Sequence, residues 1–227
     1  TLAGVQVRAG DGGALAVRRS RIQGCFAHHG GAIGTLGGNV TIEDAELSGN
    51  WALSDPPTWY SAGPAVAAFE QATVTVRRSS LHDNRSDGGA FSDVNVWNSA
   101  LSVESSSIVN NTSGNSIQAT LSDVLVISST VDRIIVDGSS LPGASLTLGC
   151  SIVGYCTPTG GNVSYSNYGL NVFFDGQPCV GPSDVDGEWN LYPLWAPPGK
   201  FPARVPNPYS AALELGQVRG RRAVDSV

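Results

Sequence analysis

The eleven residues Val74-Thr-Val-Arg-Arg-Ser-Ser-Leu-His-Asp-Asn84 decide the architecture, because their pattern returns five more times along the chain. Aliphatic side chains stand at positions 1, 3 and 8, and a small residue stands at position 6. Toward the N-terminus the same pattern occupies Leu15 to Cys25 and Val40 to Asn50; toward the C-terminus it occupies Leu101 to Asn111, Val124 to Ile134 and Leu146 to Cys156. The starts lie 25, 34, 27, 23 and 22 residues apart, and no copy needs an internal gap. Position 3 reads Val17, Ile42, Val76, Val103, Val126 and Leu148; position 8 reads Ile22, Leu47, Leu81, Ile108, Val131 and Val153. Position 6 reads Ser20, Ala45, Ser79, Ser106, Ser129 and Ser151.

Aliphatics at positions 1 and 3 have the period of a strand with one buried face, a small residue at 6 permits a tight bend, and position 8 opens another inward face. A repeat of that kind, rich in Gly, Ser, Asn and β-branched residues and lacking a helical apolar stripe, predicts a parallel β-helix with coils stacked about 4.8 Å apart. Charge supports the stacking. Position 4 runs Arg18, Glu43, Arg77, Glu104, position 5 runs Arg19, Asp44, Arg78, and position 7 pairs Arg21 with Glu46, so sign alternates between neighbouring coils. Exposed ion pairs contribute about 0 to 1 kcal/mol each against roughly 1.5 to 3 kcal/mol gross for a buried aliphatic, so the charges specify register while the apolar columns supply stability.

Each module runs on into a bend: Gly30-Gly31-Ala32-Ile33, Gly63-Pro64-Ala65-Val66, Gly88-Gly89-Ala90-Phe91 and Gly114-Asn115-Ser116-Ile117. With the preceding Asn50, Asn84 and Asn111, these bends resemble the polymorphic outer membrane protein repeat, whose signatures are Phe-x-x-Asn and Gly-Gly-Ala-Ile. The likeness covers residues 10 to 156 and implies a right-handed β-helix of a surface protein. The chain departs from that pattern in having Ile or Leu at the aromatic place, and Cys25, Ile134 and Cys156 at the Asn place. Gly supplies positive φ at a corner and Asn tolerates it, so Asn50, Asn84 and Asn111 are expected to form an inner ladder. Among the sequons, Asn84 and Asn111 then conflict with glycosylation, and Asn39 and Asn162 are the better acceptors.

The expected fold class is all-β: a right-handed parallel β-helix solenoid over residues 1–156, with an irregular Pro-rich capping segment over 157–227 packed on the same domain. The repeat pattern stops at Thr157, and nine of the 13 prolines lie between Pro158 and the end. Trp189, Leu191, Leu194 and Trp195 are expected to cover the C-terminal end or one flank. The opening Thr1-Leu2-Ala3-Gly4 and the absence of Met suggest a processed product or fragment, and residues 1 to 10 suffice only for a partial coil. That uncapped N-terminal end is the expected place for self-association or a protein partner.

With 227 residues, 41% hydrophobic content, net charge -6 and a pI near 4.9, the chain has enough apolar content for a core and no basic face for nucleic acid. No apolar run approaches the roughly 18 residues of a transmembrane segment. Four Cys and the sequons point to an extracellular, secreted setting. Cys25 and Cys156 stand five coils apart, about 24 Å, beyond a disulfide's reach of roughly 7 Å. Cys179 is expected to bridge to Cys156 or Cys150, while Cys25 pairs with absent sequence or lies buried.

His28, His29 and His82 lack the converging ligands that zinc requires, so no metal and no cofactor is expected. Glu43, Asp44 and Glu104 already have Arg partners, and Asp83, Asp87, Asp93 and Asp123 read as structural turn acids, so no catalytic residue is assigned. The candidate contact surface is the expansion from Trp51 to Tyr60, with Trp59, and Trp97 in the next coil's insertion; these aromatics either form a platform for a glycan or protein, or fold back over an exposed coil. The expected function is that of a non-enzymatic extracellular or cell-surface protein, an adhesive or structural spacer and a subunit of a larger assembly. The alternatives are a polysaccharide lyase or hydrolase, and a carbohydrate-binding module.

Overall fold

The computed structural model describes residues 5–7, 13–53, 63–86, 92–112, 114–140, 142–169, 171–173, 179, 191–194 and 203–206. Among them every regular element is a strand, and nearly all strand pairs are parallel. The chain returns to the same sheet once per repeat. A seven-stranded sheet takes, in order, Ala14–Arg18, Asn39–Glu43, Thr73–Arg77, Ala100–Glu104, Asp123–Ile127, Ala144–Gly149 and Val163–Asn167. Its register places Val17, Ile42, Val76, Val103, Val126 and Leu148 opposite one another, pass after pass. All six are buried, so the aliphatic column read from the sequence is one continuous interior row.

A twelve-stranded sheet holds two sets of strands. Arg21–Gln23, Glu46–Ser48, Ser80–His82 and Ser107–Val109 form one set, aligning Ile22, Leu47, Leu81 and Ile108. Val5–Val7, Ile33–Leu36, Val66–Phe69, Ser92–Trp97 and Asn115–Thr120 form the other, aligning Ile33, Val66, Val94 and Ile117. The eight-residue strands Thr130–Asp137 and Ile152–Thr159 are long enough to serve both sets and join them. The first three passes separate the sets with short strands Phe26–Ala27, Trp51–Ala52 and Arg85–Ser86, which make a three-stranded sheet. The repeat intervals of 23 and 22 residues are those that lack this extra strand.

The corners follow one rule. Position 5 of every repeat, Arg19, Asp44, Arg78, Ser105, Ser128 and Cys150, has φ between 45° and 51°, a left-handed conformation that costs a non-glycine residue roughly 1 to 2 kcal/mol. Position 6 is small because its side chain points into the stack. The Ser79 hydroxyl accepts the Ala45 N–H, and Ser106, Ser129 and Ser151 accept the N–H of the position-6 serine in the preceding pass, at 3.1 to 3.3 Å. The bend therefore occurs one residue earlier than the small side chain suggested, and the serine hydroxyls satisfy backbone donors that the corner removes from the strand ladder. A second serine ladder, at the corner before the seven-stranded sheet, follows left-handed Gln71, Asn98 and Leu121: Ser99 accepts from Ala72 and Ser122 accepts from Ser99.

The expected asparagine ladder is present at the third corner. Asn50 Oδ1 accepts the Cys25 N–H, Asn84 Oδ1 accepts from Asn50, and Asn111 Oδ1 accepts from Asn84, at 2.9 to 3.1 Å along the backbone. The positive φ again belongs to the residue before: Gly24, Gly49, Asp83 and Asn110 rather than the ladder asparagines. Glycine is required at Gly63, whose φ is 54° and where a Cβ would collide with the Val66 carbonyl.

Parallel pairing runs beyond Thr157. Val163–Asn167 pairs with Ala144–Gly149 and Val172–Phe173 pairs with Ile152–Thr159, so a seventh pass follows the six repeats. It escapes the pattern because positions 1 and 3 are Tyr165 and Asn167. Both side chains bond the Cys179 carbonyl, the Tyr165 hydroxyl directly and Asn167 Nδ2 at 2.9 Å. Polar groups thus replace aliphatics in the last described pass, where Cys179 is held. Leu191–Leu194 pairs antiparallel with Ala203–Pro206. Trp189 and Trp195 lie outside the described residues.

Candidate functional site

The charge ladder runs from the outer face of the seven-stranded sheet around the corner at Asp44 and Arg78 to the first strands of the twelve-stranded sheet. Arg18 meets Glu43 at 3.2 Å, Arg77 meets Glu104 at 3.0 Å, and Arg21 meets Glu46 at 2.7 Å. Arg78 holds Asp44 with Nε at 2.7 Å and Nη2 at 3.0 Å, and also reaches Glu43 at 2.6 Å. The hydrogen bonds that Arg78 donates hold the Asp44 carboxyl below its ordinary range, and donating to Asp44 and then to Glu43 raises the guanidinium in turn. These acids serve inter-pass register, as their alternation implies.

His82 lies between two carboxylates, with Nδ1 2.7 Å from Asp83 and Nε2 3.4 Å from Glu46. Glu46 is also held by Arg21 and by the Ser48 hydroxyl. No group of three or more His, Cys, Asp or Glu able to hold a metal occurs among the described residues. His28 Nδ1 stands 3.3 Å from the Leu53 carbonyl, and His29 packs edge-on against Phe69.

Two of the acids read as turn residues sit elsewhere. Asp123 opens a strand, and Asp93 lies inside Ser92–Trp97 with no exposed surface. Burial pushes the Asp93 carboxyl well above its usual range, offset in part by a 3.3 Å hydrogen bond from Asn84. Its Oδ1 has no hydrogen-bond partner among the described residues. Asp83 occupies a left-handed corner, and Asp87 lies outside the described residues. The sequence signal for Asp93 was available: Val94 and Val96 alternate as strand residues do, which places Asp93 at the entry of a strand rather than in a bend.

The four aromatic candidates separate. Trp51 pairs with Phe26 and Arg85 in the three-stranded sheet, and the Arg85 guanidinium stacks 4.0 Å above its ring. Trp97 ends a regular strand instead of belonging to an insertion; it pairs with Phe69 and Thr120, and 54% of it is exposed. Trp51 and Trp97 therefore belong to different sheets. Trp59 and Tyr60 lie outside the described residues.

Of the cysteines, Cys156 and Cys179 form a disulfide with Cα atoms 6.1 Å apart, tying the segment after the seventh pass to the core. Cys25 is a buried thiol at the end of the asparagine ladder, its pKa raised by burial, and Cys150 is a thiol at a left-handed corner. Asn39 and Asn162 are exposed, whereas Asn84 is fully buried in the ladder.

No helix among the described residues is long and apolar enough to cross a membrane. No family model, no curated protein and no solved structure matches this chain.

Proposed function

We propose that the chain is a right-handed parallel β-helix that works as a non-enzymatic extracellular or cell-surface protein, an adhesive or structural spacer within a larger assembly. The observation that carries this reading is the use of the outer acids. Glu43, Asp44, Glu46 and Glu104 are each bound to an arginine of a neighbouring pass, where a glycosidase or lyase would need carboxylates free to donate, accept or hold calcium. Continuous strand ladders and the three interior side-chain ladders give stiffness along the stack, the property a spacer needs. The resemblance of the bends to the polymorphic outer membrane protein repeat supports a surface location, and the Cys156–Cys179 disulfide favours an oxidising compartment. Protein partners or further copies would pair at the end where Val5–Val7, Ala14–Arg18, Arg21–Gln23 and Phe26–Ala27 are the outermost described strands. Asn39 and Asn162 are the sites for glycans on such a protein.

Incubation with a polysaccharide panel tests the non-catalytic part: no new reducing ends and no unsaturated sugars are expected. Turnover abolished by Asp83→Asn or Glu46→Gln would overturn it in favour of a lyase or hydrolase. Protease shaving of intact source cells should release the chain if it is displayed at the surface.

A further inference from the structure

A groove of about 450 Å³ runs beside the second serine ladder, lined by residues 71–73, 98–100, 121, 123, 142–145 and 164. These belong to five successive passes, a run of roughly 19 Å at about 4.8 Å per strand. The strand register puts Thr73, Ala100, Asp123, Ser145 and Ser164 in one row along it. Small and hydroxyl-bearing side chains keep this floor low, while exposed Gln71 and Asn98, both held outward by left-handed backbone, form the adjacent corner. Asp123 Oδ1 accepts the Ser145 hydroxyl at 2.5 Å. The described lining contains no basic side chain.

An exposed apolar ridge borders this corner. Leu36, Phe69 and Trp97 are aligned in successive passes at the end of the adjoining strands, with 46% of Leu36 and 54% of Trp97 exposed. Each is followed within two residues by a corner of the groove side, Trp97 immediately by Asn98. A long open groove offering amides, hydroxyls and one carboxylate, next to an indole face, matches one ligand chemistry: hydroxyl-rich rings with apolar faces, joined in an extended chain. The absence of cations among the described lining residues and the presence of Asp123 disfavour anionic polymers.

We propose that this groove binds an extended strand of neutral polysaccharide, with Trp97 stacking on a sugar ring and Asn98 and Gln71 hydrogen-bonding its hydroxyls. The proposal rests on the adhesive half of the reading above, and the scaffold reading stands if it fails. The test is calorimetric titration of the intact chain with hexasaccharides of β-1,4-linked glucose, xylose, mannose and N-acetylglucosamine, with hexagalacturonate as the anionic comparison. At least one neutral hexasaccharide binds saturably; Trp97→Ala weakens it about ten-fold or more, and Asn98→Gly, which removes the amide while keeping the backbone conformation, weakens it several-fold. Ala100→Arg, from an outward position on the groove floor, blocks it without lowering the melting temperature. Binding that survives both Trp97→Ala and Ala100→Arg overturns the proposal. So does preference for hexagalacturonate, or no binding to any neutral hexasaccharide at millimolar concentration.

Discussion

Asn84 and Asp93 are both fully buried, nine residues apart, and joined by one hydrogen bond, yet their surroundings differ in kind. Asn84 belongs to a row. Its amide oxygen accepts the backbone N–H and the side-chain Nδ2 of Asn50, and its own Nδ2 faces the Leu47 carbonyl and Asn111 Oδ1. Asp93 has no such row: its register neighbours in adjacent passes are Ala65 and Ser116, and one carboxyl oxygen has no partner among the described residues. In a repeating stack, a buried polar side chain is supported when the equivalent residue of the next pass supplies its partner. A polar residue that occurs in only one pass carries its desolvation cost with little return.

Removing each side chain should reveal this contrast with opposite signs. Asn84→Leu removes the acceptor of the Asn50 backbone N–H, one of the two acceptors of its side-chain amide and the side-chain donor to the Leu47 carbonyl, and strips Asp93 of its hydrogen bond, so a loss of roughly 3 to 5 kcal/mol in a denaturant titration is expected. A loss below about 1 kcal/mol would mean that the ladder is not a stabilising row. Opening the covalent tie is next: Cys156→Ser frees a loop of 23 residues and should cost about 3 kcal/mol, with the largest rise in hydrogen exchange at Tyr165 and Asn167.

Asp93→Asn should go the other way, gaining roughly 1 to 3 kcal/mol at neutral pH by replacing an acid whose ionisation burial opposes with a neutral isostere. Because the folded-state pKa of Asp93 is raised, the folded chain binds more protons than the unfolded one, and its contribution to stability falls as pH climbs from the ordinary carboxylate range toward the raised value. Thermal melts from pH 4 upward should show that decline reduced in Asp93→Asn. Equal slopes in the two proteins would mean that Asp93 is not buried as described. The smallest effect belongs to the exposed ladder: Arg78→Ala should shift the melting temperature slightly at low salt and not measurably at high salt.

The register of the stack was legible in the sequence because burial on one face forces aliphatics at positions 1, 3 and 8, and the sheet pairs those positions in the order read. The alternating arginines and acids and the asparagine ladder were legible for the same reason, being rows. What escaped were features that occur once or that invert the rule. The seventh pass carries Tyr165 and Asn167 in place of aliphatics, and both hold the Cys179 carbonyl. Trp97 read as part of an insertion, although Val94 and Val96 mark its strand. The choice between Cys150 and Cys156 was open because both lie near the end of the stack, and only side-chain direction separates them: Cys156 follows the inward row of Ile117 and Ile134, while Cys150 sits at a corner. The corner groove has no sequence signature of its own; it arises from the juxtaposition of small residues in passes that are distant in sequence.

The central claim is that equivalent positions of successive repeats lie directly over one another. Methyl-labelled NMR tests it most directly. The claim predicts a chain of methyl-to-methyl cross-peaks linking Val17 to Ile42, Ile42 to Val76, Val76 to Val103, Val103 to Val126 and Val126 to Leu148, all from groups shielded from solvent. Absence of the cross-peak between Ile42 and Val76, which are 34 residues apart, together with solvent exposure of both methyls, would contradict it.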